Sequence, residues 1–219
     1  MPNFNFCYNF TKLVVREIIK TKGIIRRKKM RDISPLQKER KNYNPKLAGA
    51  LASGIKNIKL TLGEKTASVA DQDEIKKLFP HVYGEPIAKF ASVGSDLSDS
   101  KRNVGVILSG GQAPGGHNVI AGLYDAIKAQ NSSNKLFGFL GGPSGIVDGK
   151  YMEITDEIMD EYRNTGGFDI IGSGRTKLET EEQFKSALEV CKKLDITAIV
   201  IIGGDDSNTN ACLLAEWMK

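Results

Sequence analysis

Apolar residues fall along this chain in short blocks separated by glycine. Residues 104–108, 136–140, 168–171 and 198–202 are apolar or nearly so, and are of strand length. They stop at Ser109-Gly110-Gly111, Gly141-Gly142, Gly172-Ser173-Gly174 and Gly203-Gly204. Helical spacing follows each block. Val119, Ile120, Leu123 and Ile127 follow the first, and Thr155 caps a segment with Asp156 and Glu157 in its first turn after the second. After the third, Thr180-Glu181-Glu182-Gln183 forms a capping box ahead of Phe184, Leu188, Cys191 and Leu194. Ala211, Leu214 and Met218 follow the fourth. Four strands, each followed by a helix, predict an α/β fold with a largely parallel, doubly wound (Rossmann-like) sheet covered on both faces.

The text before Val104 is less regular. Pro35, Pro45, Pro80 and Pro86 punctuate short apolar stretches, and residues 73–79 read as an amphipathic turn or two. Between residues 91 and 103, Ser92, Ser95, Ser98 and Ser100 alternate with Gly94, Asp96 and Asp99, which is linker or loop chemistry. The expected organisation is a basic extension at 1–31, a helical or irregular arm and linker at 32–103, and the α/β domain from 104 to 219.

Composition sharpens this picture in two places. No apolar run reaches 18 residues, so membrane-spanning helices are not expected. The net charge of +5 is unevenly placed: residues 1–31 hold nine basic side chains against Glu17 alone, leaving 22 basic and 25 acidic residues in the rest. Arg26 to Lys29 could serve as a nuclear or nucleic-acid patch, the whole head as a transit peptide, or translation could normally begin at Met30. No nucleic-acid or membrane partner is expected. Cys7, Cys191 and Cys212 lack metal-ligand spacing and suggest a reducing compartment without zinc.

Ligands of parallel sheets bind beyond the carboxyl ends of the strands, where the glycine pairs fall. Lacking a Cβ, Gly110, Gly111, Gly203 and Gly204 let backbone N–H groups converge on an anion, and the helix starts add positive potential. One glycine pair could be only a tight turn. Several on one edge point to phosphate. A dinucleotide fingerprint fails, because Gln112 and Ala113 stand two residues after Gly110 and Gly111. A Walker A loop fails too, since Gly115 is followed by Gly116 and His117.

Long strings then carry a resemblance. Residues 104–122 (VGVILSGGQAPGGHNVIAG), Gly141-Gly142-Pro143, 166–180 (GGFDIIGSGRTKLET) and 200–216 (VIIGGDDSNTNACLLAE) resemble the pyrophosphate-dependent phosphofructokinases of the long type, related to the plant catalytic (beta) subunit. Residues 34–47 and 76–90 extend the likeness to nearly everything after Arg31. The resemblance implies the phosphofructokinase fold, incomplete here, and reversible phosphoryl transfer from pyrophosphate to fructose 6-phosphate with Mg2+. It also implies a glycolytic, cytoplasmic setting and homo- or hetero-oligomers with other phosphofructokinase subunits.

By the same resemblance, Gly110, Gly111, Arg175, Thr176, Gly204 and Ser207 would hold pyrophosphate and Asp205 the metal; relatives often carry Asp at the place of Thr176. A planar fork at Arg175 suits phosphate oxygens. Asp206 stands where ATP-using relatives have Gly, and a carboxylate there would repel a nucleotide's next phosphate. Taken alone, Asp206 reads equally as a helix N-cap. His117, opening a helix, is read as a cap or supporting residue without a catalytic role, and Trp217 and Met218 as core.

The family's catalytic Asp lies in Pro-Lys-Thr-Ile-Asp-Gly-Asp and part of its sugar-phosphate site in Met-Gly-Arg. Neither string occurs in these 219 residues, which places both downstream of Lys219. The chain reaches Lys219 within a helical pattern, with no Gly or Asn cap after Met218. An amino-terminal fragment without a catalytic base is therefore expected. The alternatives are a noncatalytic fragment or interaction chain, and an ATP-dependent phosphofructokinase.

Overall fold

The computed structural model describes residues 33–47, 49–91 and 100–219. The expected basic extension at 1–31 and most of the serine-rich linker therefore lie outside the described residues. The chain divides into two compact units, residues 1–39 and 40–219. In the first, Ser34 Oγ accepts the Gln37 N–H at 3.2 Å where helix α1 (Pro35–Asn42) begins.

The second unit opens with two 3-10 turns, Gly49–Ser53 and Ile55–Asn57. Strand β1 (Lys59–Lys65), helix α2 (Gln72–Leu78) and strand β2 (Pro86–Ala91) follow, and the two strands pair antiparallel with Leu60 opposite Phe90. The amphipathic turn expected at 73–79 is α2; the flanking hairpin was not legible from the pattern. Glu216 fastens this arm. Its carboxylate accepts the N–H groups of His81 and Val82, each at 3.0 Å, and bonds the His81 ring. Burial raises the Glu216 pKa, but these hydrogen bonds outweigh it and hold the group below its ordinary value.

The α/β part contains strand β3 (Asn103–Leu108), helix α3 (Gly116–Gln130), strand β4 (Leu136–Phe139), helix α4 (Pro143–Asp148) and strand β5 (Tyr151–Ile154). Helix α5 (Asp156–Tyr162), helix α6 (Glu181–Lys193), strand β6 (Ile196–Ile202) and helix α7 (Asp205–Met218) complete it. The sheet order is β5-β4-β3-β6. β3 runs parallel to β4 and β6, while β5 pairs antiparallel with β4.

Every residue of β3 is buried, as a strand covered on both faces requires. Val104, Val106 and Leu108 meet Ile120 and Tyr124 of α3 and Met159 of α5 on one face. Ile107 meets Phe139, Ile146, Phe184, Cys191 and Leu214 on the other. Helices therefore pack on both faces, and the doubly wound α/β expectation holds, with a mixed sheet in place of a wholly parallel one.

Two details differ from the pattern read in the sequence. Residues 168–171 are no strand, although Phe168, Ile170 and Ile171 are buried. Their backbone groups are engaged elsewhere: the N–H groups of Asp169 and Ile170 go to the His117 ring, and Ile171 O accepts from Gly141. All that remains of strand pairing there is a bridge between Ser109 and Gly174. The unforeseen β5 is four residues long, preceded by Gly149 in the left-handed region at the end of α4. Near the end of α7, Lys219 Nζ lies 3.2 Å from Glu85 Oε1, an exposed ion pair to the arm beside Glu216.

Candidate functional site

Because β3, β4 and β6 are parallel, their carboxyl ends and the glycine turns after them share one edge of the sheet. Gly110, at φ 94°, takes a conformation that side-chain-bearing residues rarely adopt, and its N–H donates to Gly174 O at 2.8 Å. Gly141 N–H donates to Ile171 O at 2.9 Å, drawing the next turn to the same segment. This seats Arg175 over the first turn. A Cβ on Gly111 would stand 2.9 Å from Arg175 Nη2, so only glycine lets the guanidinium lie that close.

On the other side, Gly204 is the N-cap of α7, and Asp205, Asp206 and Ser207 make its first turn. Asp206 is therefore not the N-cap, and no side chain caps this helix. Ser207 is buried beside Gly110 and Gly203, whereas Asp205 and Asp206 are exposed. The residues singled out in the sequence come together here. Gly110, Gly111, Arg175, Gly204, Asp205, Asp206 and Ser207 line a cleft of about 760 Å³. Thr176 lines an adjoining hollow of about 240 Å³ that shares Gly110, Arg175, Asp206 and Ser207 with it.

The starts of α3 and α7 both face the cleft through Gly115 and Gly204, each contributing partial positive charge. Arg175, Asp205 and Asp206 make no side-chain hydrogen bond or ion pair among the described residues, so their charges are unspent. Two carboxylates beside an anion-directed cleft fit a divalent ion shared with a ligand's own oxygens. No group of three or more His, Cys, Asp or Glu suited to a metal occurs among the described residues, so a cage made of protein ligands alone is not what this donor set offers. A hard, hydrated ion such as magnesium, held by one or two carboxylates and phosphate oxygens, matches it.

Behind the cleft, His117 is nearly fully buried. Its Nε2 faces the N–H groups of Asp169 at 2.9 Å and Ile170 at 3.0 Å, and Nδ1 lies 2.5 Å from Thr165 Oγ1, which donates to Tyr162 O. Two converging N–H donors require a bare Nε2, hence a neutral ring protonated at Nδ1. Burial lowers the His117 pKa, against the opposing charge and hydrogen bond of Asp169, whose Oδ1 is 3.0 Å away. The supporting role expected for His117 is thus a bridge from the start of α3 to the segment leading to Arg175. Two further residues of the hollow, Lys177 and Asn210, escaped the sequence reading. Their signals were the spacing of two from Arg175 and of one helical turn from Asp206.

A family model described as phosphofructokinase matches residues 103–219. A pyrophosphate--fructose 6-phosphate 1-phosphotransferase of Porphyromonas gingivalis is 56% identical over 184 residues, spanning 84% of this chain and 33% of that protein. The subunit beta 2 of the Arabidopsis thaliana enzyme of that name is 54% identical over 74% of this chain and 29% of its own length. An Entamoeba histolytica protein of the same name is 50% identical over 84% of this chain and 34% of its own. The chain spans about a third of the length of these relatives. With a family model matched over more than half of its residues, the chain belongs to the phosphofructokinase family.

Proposed function

We propose that these residues supply the phosphoryl-donor half of a pyrophosphate-dependent phosphofructokinase. In the reaction of that reading, a phosphoryl group passes from pyrophosphate to the 1-hydroxyl of fructose 6-phosphate, giving fructose 1,6-bisphosphate and phosphate. The observation that carries it is the unspent Arg175, Asp205 and Asp206 where two helix starts and the Gly110-Gly111 turn converge on one cleft. The relatives' names, which state pyrophosphate and fructose 6-phosphate, supply the donor and acceptor.

In this reading the N–H groups of the glycine turns and of Gly204 to Ser207 bind donor oxygens, and Arg175 grips them with its planar fork. Thr176 adds a hydroxyl from the adjoining hollow. Asp205 would hold Mg2+, which would supply charge neutralisation at the phosphate oxygens. Asp206 keeps a nucleotide's extra phosphate out and admits compact pyrophosphate. In this reading the catalytic Asp and the sugar-phosphate site are supplied by residues other than these 219. The setting that follows is reversible glycolytic chemistry in the cytoplasm, within a homo- or hetero-oligomer of phosphofructokinase subunits.

Neither Pro-Lys-Thr-Ile-Asp-Gly-Asp nor Met-Gly-Arg occurs in these 219 residues. Loss of a positioned base costs about 10²–10⁴ in rate. A coupled assay on the purified chain should accordingly give no pyrophosphate-dependent turnover, and robust turnover would remove the half-site description.

Titration calorimetry with magnesium pyrophosphate tests the donor site itself. One binding site is expected, weakened about tenfold to hundredfold by Arg175→Ala through the loss of charge-assisted hydrogen bonds. Absence of binding to the folded chain, or binding indifferent to Arg175, would overturn the reading.

A further inference from the structure

Asn210 and the segment carrying Arg175 are joined by an unusual pair of bonds. Leu178 N–H donates to Asn210 Oδ1 at 3.0 Å, and Asn210 Nδ2 donates back to Leu178 O at 2.7 Å. One side-chain amide thus satisfies both backbone groups of one residue, as a neighbouring strand would. Among the described residues no strand pairs with 175–178, so the amide does what a ladder would otherwise do for this stretch.

The clamp has a register. Asn210 lies one helical turn beyond Asp206, so both side chains share a face of α7. Arg175, Thr176, Lys177, Asp206, Ser207 and Asn210 all line the hollow beside the main cleft. Lys177, directly before the clamped residue, makes no side-chain hydrogen bond or ion pair among the described residues. Asp205 and Asp206 place two negative charges at this edge, and Arg175 alone does not balance them. Lys177 restores the balance for a phosphate ligand. We propose that Asn210 is a positioning residue of the donor site, fixing residues 175–177 over the first turn of α7 so that Arg175 and Lys177 together meet the donor phosphates.

This proposal rests on the donor-site reading for its ligand, but the clamp can be judged without one. Leu178 is itself 2% exposed and packs in the same apolar cluster as Leu214, so Asn210→Ala leaves the hydrophobic anchor in place and should fold. Amide hydrogen exchange on the 219-residue chain is the first arm. In Asn210→Ala, exchange at Leu178 and through 175–177 should accelerate about tenfold or more, the loss of one or two hydrogen bonds, with the amides of β3 unchanged. Unchanged exchange at Leu178 would overturn the proposal whatever the ligand.

Magnesium pyrophosphate titration is the second arm. Asn210→Ala and Lys177→Ala should each weaken binding about tenfold. In a chain already carrying Arg175→Ala and Lys177→Ala, the further change Asn210→Ala should have almost no effect, because Asn210 acts through those two residues. An undiminished effect in that background would show a general structural role and defeat the proposal. If the wild-type chain binds no pyrophosphate while the exchange result holds, the donor-site reading fails and the clamp stands.

Discussion

His117 shows how one residue can be conspicuous in sequence and yet act only through its neighbours. With a pKa held below 6.5 in the fold, it is neutral there and takes up a proton more readily when unfolded. Its stabilising contribution is therefore complete above about pH 6.5 and is lost as pH falls from that value through the folded pKa. Tyr162, edge-on to the ring, and Asp169 are the ionisable groups facing it; the Asp169 carboxylate can accept a hydrogen bond from the protonated Nε2 but cannot replace the two broken N–H bonds. Denaturant midpoints measured from pH 7.5 to 5.0 should fall, and His117→Gln should flatten that fall. An unchanged slope would contradict the assignment. The Glu216 contribution lies lower, present above about pH 4.5 and lost as pH falls through its depressed pKa. Asp206 illustrates the opposite case. Taken alone it read equally as a cap or as a site residue, and the placement of Gly204 at the N-cap removes the first of these. Asp206→Gly should narrow the preference for pyrophosphate over ATP by about tenfold or more, since like-charge juxtaposition costs several kcal/mol; titration with both donors reads this directly.

Among the elements, those with local signals were legible. The capping box at Thr180 is present: its hydroxyl accepts the Gln183 N–H at 3.3 Å and Gln183 Oε1 accepts the Thr180 N–H at 3.1 Å. Thr180→Ala should cost about 1 kcal/mol, seen as a lower denaturant midpoint. β3, β4 and β6 were marked by apolar runs ending in glycine, and α3 by its helical spacing. Residues 168–171 misled because burial and strand pairing leave the same apolar signature; what denied them a ladder was a histidine 52 residues upstream taking their N–H groups. β5 was missed for the converse reason. Four residues with Glu153 among them carry too little pattern to stand out between two helices. Likewise the candidate site was legible in its glycine turns and, for Arg175, Asp205 and Asp206, through the family resemblance, and silent at Lys177 and Asn210, whose placement depends on the fold bringing α7 against the loop after Gly174.

At the scale of the whole molecule, the charged cleft and the apolar hollows are separate. A hollow of about 510 Å³ runs along β6, lined by Leu188, Cys191, Leu214 and Met218 among others, with no charged residue in its lining. β6 is also an outer strand of the sheet, with Thr197 and Ala198 exposed. An unpaired edge beside apolar surface is a template for association. The sedimentation coefficient of the chain should therefore rise with concentration, and Ala198→Lys should suppress that rise; a monomer at every concentration would contradict it. No helix among the described residues is long and apolar enough to cross a membrane. The central claim, a donor site selective for pyrophosphate, belongs to the edge where the glycine turns gather. Its most direct test is a side-by-side calorimetric titration of the chain with magnesium pyrophosphate and magnesium ATP. Binding of pyrophosphate at one site, with ATP at least about tenfold weaker, is the result predicted from the Asp206 carboxylate. ATP binding as tight as pyrophosphate, or neither binding to the folded chain, would contradict it.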